Sequence, residues 1–188
     1  MAGNSTSNLS PLHSTGHSEA ARVWSLHSLD DLSRWCQAWA RQLQPGDVIA
    51  LDGPLGAGKT TLVQQLALAL GVQQPVTSPT FSLIHEYLDG HIPLLHTDLY
   101  RLDSGRPDAS RLDAGPTDEA FADALWDRFA QLQGILLVEW ACYGSFMPAW
   151  QTAAITLEAH TPRTLTLKTF RPGLMPESLW PGAKEPPA

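Results

Sequence analysis

Apolar residues recur along this chain at two spacings, and their succession lays out an alternating α/β order. From Ser28, whose hydroxyl can cap a helix start, Leu32, Trp35, Trp39 and Leu43 follow at three- and four-residue steps. That spacing predicts a helix with one face on the core. Pro45 and Gly46 break it. Residues 47–52 then carry the uninterrupted run Val48, Ile49, Ala50 and Leu51, the pattern of a parallel strand buried on both faces. A glycine-rich turn comes next, and from Lys59 the spacing is helical again, with Leu62, Leu66 and Leu70 on one stripe, Val63 beside it and Gly71 placed to stop it.

Downstream, residues 81–87 and 94–98 read as short strands joined by a turn at 88–93. Residues 101–118 are dense in Asp, Gly, Pro and Ser and read as an exposed insertion. An amphipathic segment at 119–132, with Phe121, Leu125, Trp126 and Phe129 inward, is closed by Gly134. Ile135 to Val138 form a second wholly apolar run, and it ends in an acid, Glu139. Alternation at 154–159 and 164–170 across a turn at 160–163 predicts a hairpin. The resulting fold class is α/β: one domain over residues 23–170, a mostly parallel central sheet flanked by helices, and a C-terminal β-hairpin. Residues 1–22 read as a flexible polar tail and 171–188 as a Pro-rich one.

Composition narrows the function. A length of 188 residues supports one good core rather than two. The formal net charge is −7, the wrong sign for a chain that grips nucleic acid by its phosphates. Any nucleic-acid role is therefore expected to be indirect. The two cysteines, Cys36 and Cys142, lie far apart and show neither disulfide-framework nor zinc spacing. The first twenty residues lack both the basic and the apolar parts of a secretory signal, and no apolar run approaches the ~20 residues that span a bilayer. A soluble, cytoplasmic protein is expected, without a membrane partner.

The chemistry concentrates at residues 53–60, Gly-Pro-Leu-Gly-Ala-Gly-Lys-Thr, a full GxxxxGK[ST] match that joins an apolar strand to a helix. In that context several backbone N–H groups and the positive end of the helix converge on one anion, and Gly56 and Gly58 keep side chains out of its way. Leu55, Gly56, Ala57, Gly58, Lys59, Thr60 and Thr61 are therefore the predicted phosphate-binding set. Lys59 is assigned to the β- and γ-phosphates and the Thr60 hydroxyl to magnesium. A magnesium nucleotide also needs a carboxylate from a neighbouring strand end. Glu139 and Asp98 both qualify, as metal ligands and catalytic groups. His85, His91 and His96 fit no zinc pattern and read as strand and turn residues. The seven tryptophans fall mostly at core spacings, except Trp140, which comes directly after the acid and is placed near the nucleotide.

Four segments in order, LDGPLGAGKTTLVQQLALALG, SPTFSLIHEY, HTDLYRL and LLVEW, resemble the TsaE (YjeE) family of bacterial ATPases. The resemblance covers residues 26–170, and SPTF at 78–81, HTDLYR at 96–101 and VEW at 138–140 make it more specific than the P-loop alone. It implies magnesium-dependent ATP hydrolysis that supports formation of N6-threonylcarbamoyladenosine at position 37 of tRNAs reading ANN codons, together with the TsaD and TsaB proteins. It further implies Thr60 and Glu139 as magnesium ligands, Lys59 as the phosphate lysine and Asp98 as an active-site acid. Thr80 would lie in a loop that senses the nucleotide, and Arg163 and the helix start near Asp30 would contact ATP. Ala141 stands where the family usually has proline.

Two other readings share the P-loop. A small-molecule kinase needs an acceptor pocket and lid arginines, and the middle of this chain is poor in arginine. A nucleotide-dependent binding switch with negligible turnover differs from an ATPase only in rate. No NKxD motif points to a GTPase and no LSGGQ-like segment to an ABC ATPase.

Overall fold

A computed structural model describes residues 20–101, 118–143, 152–171 and 174. The Pro-rich end, the insertion and most of the polar N-terminal tail lie outside the described residues. Seven strands form one sheet: β1 (Ala20–Leu26), β2 (Val48–Asp52), β3 (Ile84–Tyr87), β4 (Leu94–Asp98), β5 (Ile135–Glu139), β6 (Ala153–Glu158) and β7 (Arg163–Thr169), in the spatial order β1-β7-β6-β2-β5-β4-β3. The four central strands β6, β2, β5 and β4 are mutually parallel. The outer pairings of β1 with β7, β6 with β7 and β3 with β4 are antiparallel.

Among the described residues, three α-helices cover this sheet: α1 (Leu29–Ala40), α2 (Lys59–Ala69) and α3 (Asp118–Leu132). Successive side chains of a strand point to opposite faces, and the two cores obey that alternation. Ile49 and Leu51 of β2 pack with the apolar stripes of α1 and α2, whereas Val48 and Ala50 pack with Phe121, Leu125 and Phe129 of α3. Both faces are covered, which is why the central strands read as unbroken apolar runs. Among the described residues, no helix is long and apolar enough to cross a membrane.

Local signals set the helix ends. Ser28 caps α1 by accepting from Asp31 N at 3.1 Å, and Asp31 Oδ2 returns the bond from Ser28 N at 3.0 Å and from His27 N at 2.9 Å. Gly71, at φ 87°, comes just after the end of α2. The predicted hairpin is formed by β6 and β7, in register from Ala153↔Thr169 to Glu158↔Thr164.

Two boundaries depart from the sequence reading. β1 begins at Ala20, inside the segment read as tail, and pairs along its length with β7, placing Trp24 edge-on to Trp35 at 5.7 Å. The strand expected at 81–87 begins only at Ile84. Leu83 takes φ 66° and its N–H donates to Pro79 O at 2.7 Å, so residues 79–83 turn rather than extend.

Candidate active site

The parallel strands aim their carboxyl ends the same way, so the loops and acids at those ends converge. The glycine-rich loop leaves β2, Asp98 ends β4, and Glu139 ends β5 in direct register with it. The hairpin after β6 brings Arg163 to the same end. Alternation then chooses the face. Leu94 and Ile135 pack on the α1–α2 side, so His96, Asp98 and Glu139, at even steps from them, face α2 as well.

The loop needs two of its glycines, Gly53 and Gly58, for room as well as for backbone conformation, whereas a Cβ at Gly56 would meet nothing. Gly53 has φ 139°, and a Cβ there would collide with the carbonyl oxygen of Leu157 on β6. Gly58, at φ 101°, starts α2 without a side-chain cap, and a Cβ on it would stand 3.2 Å from the Arg163 guanidinium. The first N–H groups of α2 therefore receive no side-chain cap from that residue. Lys59 is only 5% exposed. Its ammonium donates to Gly53 O at 2.7 Å and Pro54 O at 3.1 Å and lies 3.5 Å from the centroid of the Trp140 ring. Burial holds its pKa below the ordinary lysine value, opposed by the charges of Glu139, Asp98 and Asp52.

Opposite the loop, the Thr60 hydroxyl donates to Glu139 Oε1 at 2.8 Å, and His96 Nε2 lies 2.9 Å from the same oxygen. Asp98 takes the Tyr100 N–H on Oδ1 at 2.8 Å and the Thr80 hydroxyl on Oδ2 at 2.5 Å. Ser78 Oγ lies 2.7 Å from Thr80 Oγ1, so the SPTF turn is tied to the strand end through two hydroxyls. Trp140, at φ 57°, leaves β5 with its N–H on Leu51 O and its ring 5.0 Å from that of Tyr100. A short 3-10 turn at Ala141–Tyr143 comes next, with Cys142 N donating to Asp52 Oδ1 at 3.0 Å.

These groups surround a cavity of about 320 Å³. Leu55, Gly56, Gly58, Thr61, Thr80 and Arg163 line it together with Lys59, Thr60, Asp98, Glu139 and Trp140. Ala57 does not: it is 1% exposed and belongs to the core under the loop. Asp30 sits in the first turn of α1 and is not among the lining residues. Arg163 also reaches Gly56 O at 3.5 Å. Ser78 and Tyr100 line the cavity although spacing alone does not single them out; both fall inside the SPTF and HTDLYR segments. His96, read as a strand residue, is one, yet it also meets Glu139. His85 instead bonds Ser82 Oγ at 2.7 Å, and His91 packs over Gly71.

A strand, a glycine-rich loop of GxxxxGK[ST] pattern and a helix on an open sheet with a parallel centre, faced by carboxylates from two neighbouring strand ends, define a P-loop NTPase-like fold. Known proteins place it further. The family model described as Threonylcarbamoyl adenosine biosynthesis protein TsaE matches residues 26–165, and the chain belongs to that family. Relatives described as tRNA threonylcarbamoyladenosine biosynthesis protein TsaE include one from Nostoc sp., 43% identical over 99 residues, covering 53% of this chain and 55% of the relative. One from Bacillus subtilis is 44% identical over 98 residues, 52% of each chain. The chain spans about half the length of the curated relatives it matches. A crystal structure of Bacillus subtilis YdiB shares the fold at a TM-score of 0.62 and 28% identity, over 83% of this chain and 90% of that one.

Proposed function

We propose that this chain binds ATP with magnesium and hydrolyses it in support of threonylcarbamoyladenosine formation on tRNA, acting in the cytoplasm with TsaD and TsaB. The observation that carries the reading is the Thr60–Glu139 hydrogen bond of 2.8 Å beside a buried Lys59. Hydroxyl and carboxylate oxygens are the donors a hard cation such as Mg²⁺ takes, and they stand at the end of a loop whose backbone favours anions. The residues fit the group. Thr60 and Glu139 would hold the metal, with Asp98 one strand away. Lys59 and the loop amides would hold the β- and γ-phosphates, and Arg163 reaches the loop from the hairpin side. Magnesium held by these oxygens would supply Lewis-acid neutralisation of phosphate charge, and the residues named here would place it for that.

The chain's own residues supply positioning. Lys59 exchanges carbonyl partners for phosphate oxygens of opposite charge, which turns a costly buried ammonium into a charge-assisted contact. Thr80 and Ser78 bind the loop to Asp98, so a change at the metal side of the site is felt in residues 78–83. That linkage also favours a second reading, a nucleotide-dependent switch of negligible turnover, which differs in rate alone. With an acidic balance of −7, tRNA is reached through protein contacts rather than by the free chain.

Calorimetry with ATP, with and without Mg²⁺, tests the binding half, and hydrolysis measured while TsaD and TsaB are titrated in tests the other. Metal-dependent binding and partner-raised turnover are expected, since groups supplied in trans can raise phosphoryl-transfer rates by about 10³ to 10⁵. A full rate without partners would favour a self-sufficient enzyme, and no turnover with them would favour the switch.

A further inference from the structure

His96 is the one fully buried histidine among the described residues whose ring nitrogen meets an active-site acid. It stands at 0% exposure in the middle of β4, after the aliphatic Leu94 and Leu95 and before the buried Thr97 and Asp98. An aliphatic side chain would satisfy that position as packing. Instead Nε2 lies 2.9 Å from Glu139 Oε1, and Nδ1 is buried with no hydrogen-bond partner among the described residues. A carboxylate only accepts, so Nε2 is the nitrogen that carries the hydrogen. Leaving Nδ1 unsatisfied in the core is unfavourable, and a residue kept for stability alone gains nothing from it. The ring is at this position for what Nε2 does.

Nε2 fixes one oxygen. The His96 and Thr60 bonds both fall on Glu139 Oε1, one from the neighbouring strand β4, the other from the first turn of α2. Together they hold the carboxylate of Glu139, the last residue of β5, after which Trp140 leaves the strand at positive φ. We infer that His96 is a positioning residue for Glu139, holding the carboxylate in the orientation that receives magnesium with the nucleotide. This rests on the metal-site reading of Glu139 and Thr60 above. It predicts a residue whose loss weakens the metal and spares the phosphates, since the hydrogen bond of His96 goes to Glu139 and not to the glycine-rich loop.

The test is ADP binding by the full chain, measured in EDTA and across a Mg²⁺ titration, for the wild type and for His96→Leu, His96→Gln and His96→Asn. Partners that orient a metal ligand typically contribute about 10- to 100-fold in metal affinity. His96→Leu should therefore raise the Mg²⁺ needed for half-maximal effect by about that factor while leaving affinity in EDTA within about twofold. His96→Gln, whose amide nitrogen can reach where Nε2 sits, should restore most of the Mg²⁺ response, and the shorter His96→Asn should not. Should His96→Leu fail to fold, the contrast between the two amides decides. Equal Mg²⁺ dependence in all variants, or equal loss in Gln and Asn, overturns the positioning role and leaves His96 as packing. A wild type whose ADP binding ignores Mg²⁺ overturns the metal-site reading itself, and this inference with it.

Discussion

The ammonium of Lys59 lies 3.5 Å from the centroid of the Trp140 indole, between that ring and the carbonyls of Gly53 and Pro54. All three contacts are electron-rich and none carries a full charge. They stabilise a buried cation only in part, in keeping with a pKa held below the ordinary lysine value by burial. A polyphosphate would add counter-charge to that of Glu139, Asp98 and Asp52, which offsets the burial of the ammonium only in part.

Lys59→Ala is accordingly expected to lower ATP affinity by at least about 100-fold, since bonds between charged partners are about twice as strong as neutral ones and this one is shielded from water. The fold should survive, because the variant removes a desolvated charge rather than a core side chain. Calorimetry with ATP and Mg²⁺ reads the first effect and a thermal melt the second. Wild-type affinity in the variant would mean that the loop is only a structural turn.

Glu139→Gln separates shape from charge. The amide oxygen can still accept from Thr60 and His96, so the site keeps its geometry and loses the charge that attracts a cation. Single-turnover hydrolysis should fall by more than about 100-fold, beyond the 10- to 100-fold range usual for groups that merely support a metal ligand. Asp98→Asn should move in the same direction. An unchanged rate in Glu139→Gln would transfer the metal role to Asp98.

The centre of this fold is more legible in the sequence than its edges. β2 and β5 are buried on both faces, so their apolar runs announce them, and the loop after β2 is marked by its own glycines. β1 escapes a reading by pattern because its pairing partner β7 lies at the other end of the chain, and a seven-residue edge strand carries little periodicity of its own. β3 reads too long because Leu83 adopts φ 66°, a conformation imposed by the turn onto Pro79 rather than by residue type. Of the candidate site, spacing and motif suffice to nominate the loop and both acids. They do not reveal the bond between His96 and Glu139, since a two-residue period tells which face a side chain takes but not which neighbour stands beside it.

Thr80→Val tests the tie between the SPTF turn and the strand end. The valine keeps the branched shape and deletes the hydroxyl that bonds Asp98 at 2.5 Å and Ser78 at 2.7 Å. A part-buried hydrogen bond to a carboxylate contributes about 1.5 kcal/mol or somewhat more, so global stability should fall only modestly. Hydrogen exchange in residues 78–83 should nevertheless accelerate, and hydrolysis should fall while ATP affinity stays within a few-fold. Unchanged exchange in that segment would show that the turn is held by its backbone alone.

The cap of α1 predicts a pH dependence whose sign is fixed by its hydrogen bonds. Asp31 Oδ2 accepts from His27 N and Ser28 N, and Oδ1 from Arg34 at 2.7 Å. The backbone bond from His27 comes first among the causes that hold its carboxyl below the usual aspartate value, with burial opposing and the Ser28 and Arg34 bonds adding to it. A carboxyl depressed in the folded state contributes stability that is fully present above its unfolded pKa of about 3.9 and is lost as pH falls through the folded value. Asp31→Asn keeps an acceptor but has no charge to lose. The variant should be less stable than the wild type at pH 7, and the gap should close as pH is lowered from about 5 towards 2, since protonation then takes the same charge from the wild type. Urea midpoints of both proteins across that range measure it. A gap that stays constant with pH would mean that the carboxylate's charge adds nothing to the cap beyond its shape.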